Sequence, residues 1–192
     1  MEKIIVATNN EGKLKEIKEI LDNYKLLSLK EVGMSIEVIE DGKTFKENAL
    51  KKAKEVFKIT NISCIADDSG LCIDIFDGWP GIKTARFLGE NVAQKDRNKY
   101  ILEKMKEKKE RTAKVVCDIA YFDGKNEIVV EGIINGKIPL EERGNNGFGF
   151  DSIFELEDGR TLAELTDIEK NKISSRKIAL EKLKKELQNF LK

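Results

Sequence analysis

The chain has 192 residues, 40% hydrophobic and 36% charged, with lysine plus arginine and aspartate plus glutamate equal at 35 each. This is the composition of a globular domain with a heavily solvated surface and enough chain to bury a core, and its zero formal net charge excludes the global basic field that duplex nucleic acid requires. No apolar run approaches the ~18 residues that span a bilayer, and Met1-Glu2-Lys3-Ile4-Ile5-Val6 leads into a strand without the apolar stretch of a signal peptide, so a cytoplasmic protein with no membrane or nucleic-acid partner is expected.

Lys3 to Thr8 predicts a buried strand, its continuous Ile4-Ile5-Val6-Ala7 run being typical of parallel pairing. The polar segment Thr8-Asn9-Asn10-Glu11-Gly12-Lys13 follows, then a helix with Leu14, Ile17, Ile20 and Leu21 on its apolar stripe. A strand, a polar loop and a helix start can gather phosphate on free backbone N–H groups. Lys13 and Lys15 oppose the acidic preference of a first helical turn, a conflict that an anion would resolve. The segment is not a Walker A loop, and an ordinary strand–helix turn remains open.

Leu26 to Leu29 and Ile36 to Ile39 are strand candidates, the second bordered by Glu37 and Glu40 and closed by an Asp41-Gly42 turn. Thr44-Phe45-Lys46-Glu47 predicts a capping box at the start of a second helix, with Ala49, Leu50, Ala53, Val56 and Phe57 on the apolar side. Asn48 has no explanation at this level. Ile65-Ala66-Asp67-Asp68-Ser69-Gly70-Leu71 then places two adjacent carboxylates, a hydroxyl and a glycine between apolar runs. Asp-Ser-Gly reads equally well as a tight turn at a strand end and as a device that aims an acid at a metal or substrate.

Asp77-Gly78-Trp79-Pro80-Gly81 is a sharp loop, and packing is the default role of its tryptophan. Asn91 is expected to cap a helix that carries Tyr100, Ile101, Leu102 and Met105 and ends in the solvated charge run 104–111. Thr112 to Phe122, an Asp123-Gly124 turn and Glu127 to Ile134 form a hairpin, expected as a separate element of a small second lobe. Arg143 to Asp151 combines three glycines and two asparagines with Phe148 and Phe150, a composition that suits either a flat ring or a structural bend. The last helix carries Ile178, Ala179, Leu183, Leu187, Phe190 and Leu191, with Lys170, Lys172 and Arg176 gathered at its N-terminal side against the helix dipole.

The chain has no histidine, and its three cysteines, Cys64, Cys72 and Cys117, sit in apolar contexts without Cys-x-x-Cys spacing. They read as buried thiols. Acid–base or metal chemistry then rests on carboxylates, lysines, hydroxyls and backbone, and oxygen-only ligation points to magnesium or manganese. Together these features describe a site for a magnesium-bound nucleotide. Asp68, with Glu40 or Glu37, would hold the metal, and Thr8, Asn9, Asn10, Lys13, Lys170 and Arg176 would orient the phosphates.

Six stretches occur in order along nearly the whole chain: Ala7 to Lys13, Thr44 to Ala49, Ala66 to Leu71, Pro80 to Phe87, Gly147 to Asp151 and Lys170 to Arg176. In these the sequence resembles the Ham1/inosine triphosphate pyrophosphatase family. The resemblance implies an α/β fold with a mixed, twisted central sheet flanked by helices and two lobes with a substrate cleft between them, as one two-lobed domain and usually a homodimer. It implies Mg²⁺-dependent hydrolysis of XTP, ITP and dITP to the monophosphate and pyrophosphate. Carried over by motif, Thr8, Asn9, Asn10, Glu11, Gly12 and Lys13 would hold the triphosphate, and Asp68 would ligate the metal and accept the proton of the attacking water. Glu40 would be the second metal ligand. Ser69, Phe148, Gly149, Phe150, Asp151, Lys170, Ser175 and Arg176 would contact the nucleotide. Where the family has Ser-His-Arg this chain has Ser174-Ser175-Arg176, which bears on base selectivity more than on hydrolysis. A Maf-like pyrophosphatase of pyrimidine or modified nucleotides and a nucleotide sensor without turnover are the rival readings.

Overall fold

The computed structural model describes residues 3–89 and 91–190, apart from the side chain of Phe190. The expectations that involve Met1, Glu2 and Leu191 lie outside the described residues. Strands β1 (Lys3–Val6), β2 (Lys25–Ser28), β3 (Cys64–Ile73), β4 (Trp79–Pro80), β5 (Thr112–Phe122) and β6 (Glu127–Lys137) alternate with helices α1 (Glu11–Ile20), α2 (Phe45–Thr60), α3 (Gln94–Met105), α4 (Asp167–Ile173) and α5 (Ser175–Phe190). The strands form one sheet of order β2-β1-β3-β5-β6, with the short β4 pairing β3. β1 runs parallel to both β2 and β3, whereas β3 and β4 are antiparallel, so the sheet is mixed as expected.

The chain divides into two compact units, Met1–Asp68 with Cys117–Gly132 and Ser175–Lys192, and Ser69–Val116 with Ile133–Ser174. β3, β5 and β6 each run from one unit into the other. The β5–β6 hairpin is therefore not the separate element expected from its length; it is half of the central sheet.

In the first unit the alternation of strand side chains builds two cores. Ile4, Val6, Ile65, Cys117, Ile119 and Tyr121 pack with Ile17, Ile20 and Leu21 of the α1 region and with Ala179, Leu180, Leu183 and Leu187 of α5. The intervening residues, Ile5, Ala7, Cys64, Ala66 and Ala120, pack with Ala49, Ala53 and Val56 of α2. The strand residues are buried on both faces, which explains why the β1 sequence reads as an unbroken apolar run. The second unit has its own core, in which Leu71 and Ile73 meet Ile101 and Met105 of α3 and the loop residues Ile138, Ile153, Phe154, Leu162 and Leu165.

Four local expectations change. The segment expected as a strand at 36–39 is not a strand: Ile36 and Val38 lean on the α2-side core, while Ile39 is 75% exposed. Its two-residue period marks a half-buried extended chain, and a ladder needs a partner strand that the fold does not provide there. Asn91 is not the cap of α3, which begins after Ala93. That helix stops at Met105, and the end of the charge run is structural: Arg111 donates to the carbonyl oxygens of Ile138 at 2.7 Å, Met105 at 2.5 Å and Pro139 at 2.6 Å. Finally, the capping box of α2 is split, since the Thr44 hydroxyl accepts from Glu47 N but the Glu47 carboxylate accepts from Lys43 N. Trp79 packs as expected, edge-on to Phe76 and Phe87 with Lys104 over its ring.

The backbone of α5 passes close against Gly132 of β6. A Cβ there would stand 1.9 Å from the Ser175 carbonyl oxygen and 2.7 Å from Ala179 N, both backbone atoms that cannot swing aside. Gly132→Ala is expected to cost about 1–3 kcal/mol or more, the range of overpacking, seen as a lower urea midpoint at unchanged m-value.

Candidate active site

The acid pair is not in a turn. Asp67, Asp68, Ser69 and Gly70 all lie inside β3, a continuous ten-residue strand. Successive side chains of a strand point to opposite faces, so the two adjacent carboxylates enter different surroundings. Asp67 follows Ile65 to the α1/α5 face and Asp68 follows Ala66 to the α2 face.

Asp67 is 1% exposed and surrounded by cations. Its Oδ2 lies 3.0 Å from Lys13 Nζ and accepts from Arg176 Nη2 at 3.0 Å and Nε at 3.3 Å. Arg176 Nη1 donates to Glu16 Oε2 on α1 at 2.5 Å. Burial alone would raise the Asp67 pKa; the charges of Lys13, Arg176 and Lys52 outweigh it and hold the carboxyl well below the usual range. The negative charges of Asp67 and Glu16 in turn hold the buried Arg176 firmly protonated against its own desolvation. Two of the misplaced helix-start cations, Lys13 and Arg176, thus find their anion inside the protein.

Asp68 is 6% exposed and differently balanced. Burial and then the charge of Glu40 push its carboxyl up to about 6, against the Asn48 hydrogen bond and the charges of Lys52 and Lys13. Asn48 Nδ2 donates to Asp68 Oδ2 at 2.9 Å, and Asn48 Oδ1 accepts from Gly42 N at 2.8 Å. One turn along α2, Lys52 Nζ pairs with Glu40 and donates to the Asp67 carbonyl oxygen at 2.9 Å. Asp118 of β5 is a further buried acid, pushed up to about 6 by burial and by the charges of Glu131 and Asp68. Sequence reasoning missed Asn48, Lys52 and Asp118. A polar residue inside an apolar helix stripe marks Asn48, and an acid inside the buried strand run marks Asp118; neither signal names a partner.

At the end of β1 the polar loop is tied to itself. Asn10 caps α1 by accepting from Lys13 N at 3.1 Å, and Thr8 Oγ1 accepts from Asn10 N at 3.2 Å. Asn9 and Glu11 are exposed, and Thr8, Gly12 and Lys13 are half-buried. The loop is preshaped by its own side chains, with the Asn10 cap at the positive end of the helix.

In the second unit, Lys170 sits in the last turn of α4, where a cation suits the dipole, and not on the helix that carries Arg176. Lys172 shares that turn. Lys170 is 6% exposed; its Nζ is 2.7 Å from Asp151 Oδ2 and 4.1 Å from the centroid of the Phe148 ring. Asp151 Oδ2 also accepts from Phe148 N at 2.7 Å, closing a bend in which a Cβ on Gly147 would stand 2.1 Å from that oxygen. Asn98 of α3 holds the bend from outside, Nδ2 donating to Gly149 O at 3.2 Å and Ser152 Oγ at 3.1 Å. Phe148, Gly149, Phe150 and Asp151 are half-buried, as is Ser69. Ser175 is 5% exposed at the first residue of α5.

The Glu40–Asp68 pair fits a hard divalent cation. Two carboxylates whose mutual repulsion raises a pKa are the donor set that such a cation relieves. Among the described residues no group of three or more His, Cys, Asp or Glu gathers as a complete metal cage. A two-carboxylate site completed by water and phosphate oxygens is the habit of magnesium.

The adjacent acids give opposite predictions. The folded state raises the Asp68 pKa, so its ionisation costs stability as pH climbs from about 4 through about 6. Asp68→Asn is expected to melt higher than the parent at pH 7.5, by on the order of 2 kcal/mol, with the gap closing toward pH 4. The folded state lowers the Asp67 pKa, so its charge stabilises above the unfolded value. Asp67→Asn, which strands Arg176 and Lys13, is expected to lose about 3–5 kcal/mol at pH 7.5. Thermal melts of both variants across pH decide between them.

The Ham1 family profile matches residues 4–186. A dITP/XTP pyrophosphatase of Clostridium tetani is 43% identical over 198 residues, covering 100% of this chain and 98% of its own. Another dITP/XTP pyrophosphatase, from Bacillus subtilis, is 46% identical over 194 residues and covers 98% of each chain. The solved structure of a HAM1 protein from Coxiella burnetii superposes with a TM-score of 0.90 at 36% identity, covering 98% of this chain and 100% of that one. The Staphylococcus aureus Ham1 protein superposes with a TM-score of 0.89 at 35% identity, covering 98% and 99%. Matched by the family profile over nearly its whole length and by full-length relatives at 43% and 46% identity, the chain belongs to the Ham1 family.

Proposed function

We propose that this protein hydrolyses non-canonical purine nucleoside triphosphates, XTP, ITP and dITP, to the monophosphate and pyrophosphate; relatives named dITP/XTP pyrophosphatase support the XTP and dITP part of this reading. The observation that carries the reading is Asp68, a buried carboxylate fixed in mid-strand and held by Asn48, with the charge of Glu40 near enough to raise its proton affinity.

Water attacks the α-phosphorus, a new P–O bond forms as the bond to the bridging oxygen breaks, and Asp68 takes the proton of the water. Thr8, Asn9, Asn10, Glu11, Gly12 and Lys13 hold the phosphates, the charge on Lys13 opposing that of the departing pyrophosphate. Glu40 and Asp68 would hold Mg²⁺, which when bound would stabilise negative charge on the phosphate oxygens. Ser69 follows Asp68 on the strand and contacts substrate. Phe148, Gly149, Phe150 and Asp151 with Lys170, and Ser175 with Arg176, contact the nucleotide, the Phe148 ring offering a stacking face. A homodimer and a cytoplasmic location complete the reading.

With Mg²⁺ and a panel of triphosphates, pyrophosphate is expected from XTP and dITP. Orthophosphate alone points to a phosphatase, pyrimidine preference to Maf-like chemistry, and no turnover to a sensor. Asp68→Asn is expected to fold and to lose at least about 10³-fold in kcat, the upper part of the general-base range; retained activity moves the base elsewhere. Ser175→His, checked for folding by melt, is expected to shift the ratios of kcat/KM among XTP, dITP and dGTP by about tenfold. Unchanged ratios would show that this position does not read the base.

A further inference from the structure

The α2 helix carries two polar residues one turn apart, Asn48 and Lys52, and each joins the segment around Glu40 to β3. Asn48 accepts from Gly42 N at 2.8 Å and donates to Asp68 Oδ2 at 2.9 Å. Lys52 pairs with Glu40 and donates to the Asp67 carbonyl oxygen at 2.9 Å. The two links differ in stiffness: the lysine has four rotatable bonds, whereas the asparagine amide is short, planar and 0% exposed.

The orientation of that amide is settled by its neighbours. Gly42 N can only donate, so the atom facing it is Oδ1, and the Nδ2 donor must face Asp68. A Cβ on Gly42 would stand 2.6 Å from Asn48 Oδ1, so the glycine backbone approaches the amide as closely as the bond requires. One buried amide thus fixes at once the carboxylate of Asp68 and the chain two residues beyond Glu40.

We propose that Asn48 is the positioning residue of the acid pair. It acts through Asp68 and through the Glu40–Gly42 segment, and it sets the separation and orientation at which Glu40 and Asp68 meet a divalent cation. The inference rests on the functional reading above for the role of that pair. Without Asn48 both carboxylates remain, but each is released to turn away from the other, and groups that hold metal ligands in place typically contribute about 10–100-fold to affinity or activity.

Two variants of the full chain test this. Asn48→Ala removes both bonds. Asn48→Asp is nearly isosteric, keeps an acceptor for Gly42 N and removes the donor to Asp68. The readouts are a thermal melt, kcat and KM for the best triphosphate with Mg²⁺, and the Kd of Mn²⁺ for the nucleotide-free protein by EPR titration. Both variants are expected to lose about 10–100-fold in kcat with nucleotide KM within about threefold, and Asn48→Ala to weaken Mn²⁺ binding by about 10–100-fold. A purely structural role would lower the melting temperature of Asn48→Ala and leave the kcat of Asn48→Asp at the parent value; that result overturns the proposal. So does parent-like Mn²⁺ affinity in Asn48→Ala, or a parent protein that binds no Mn²⁺. A parent that turns over no triphosphate defeats the functional reading alone, and the Mn²⁺ comparison still decides the role of Asn48.

Discussion

A β-strand turns each side chain away from the face its neighbour occupies, and at Asp67 and Asp68 this single constraint separates structure from chemistry. The two residues are chemically identical and adjacent. On the α1/α5 face, Asp67 meets Lys13 and Arg176 and becomes a buried anion that pairs with cations from two helices. On the α2 face, Asp68 meets an amide and the charge of another carboxylate, and burial with that charge pushes its carboxyl up to about 6. Exchanging their surroundings would exchange their roles.

The Asp67 network has a consequence beyond stability. Lys13 and Arg176 come from residues 163 positions apart, one at the start of α1 and one in the first turn of α5, and both end on the same carboxylate oxygen. A desolvated ion-pair cluster of this kind is weak evidence for net stabilisation, but it fixes where the helix starts lie. The close seat of α5 at Gly132 fixes it further, because the backbone of Ser175 and Ala179 leaves no room for a methyl group. The end of β1, the start of α1 and the start of α5 are thereby set relative to the strand that carries Asp68.

The same economy appears in the second unit. Asp151 accepts from Phe148 N and pairs with Lys170, whose Nζ also rests over the Phe148 ring. Asn98 clamps the next peptide from α3. A glycine-rich segment that the composition alone allows to flex is therefore braced from two sides by buried polar side chains, and the free-energy cost of ordering it is met when the chain folds.

How much of this was legible in the sequence varies with the range of the interaction. The continuous apolar run of β1, the stripes of α1 and α2, and the β5–β6 hairpin follow from side-chain periodicity and turn chemistry, which are local. The candidate residues Thr8–Lys13, Asp68, Phe148–Asp151, Lys170 and Arg176 were marked by local anomalies: cations at helix starts, acids between apolar runs and glycine beside phenylalanine. What locality could not supply was the partner. The lysine and arginine that appeared to await a ligand are paired with Asp67 and Asp151 across the fold, and the extended segment before Glu40 stays unpaired for want of a neighbouring strand. Asn48, unexplained in the sequence, became the link between Gly42 and Asp68. Sequence alone determined which residues stand out as candidates, because composition and period are properties of the chain. Tertiary structure alone decided that Asp67 is structural and Asp68 is poised, because burial and the approach of distant charges set a carboxyl group's proton affinity, and neither exists until the sheet has formed.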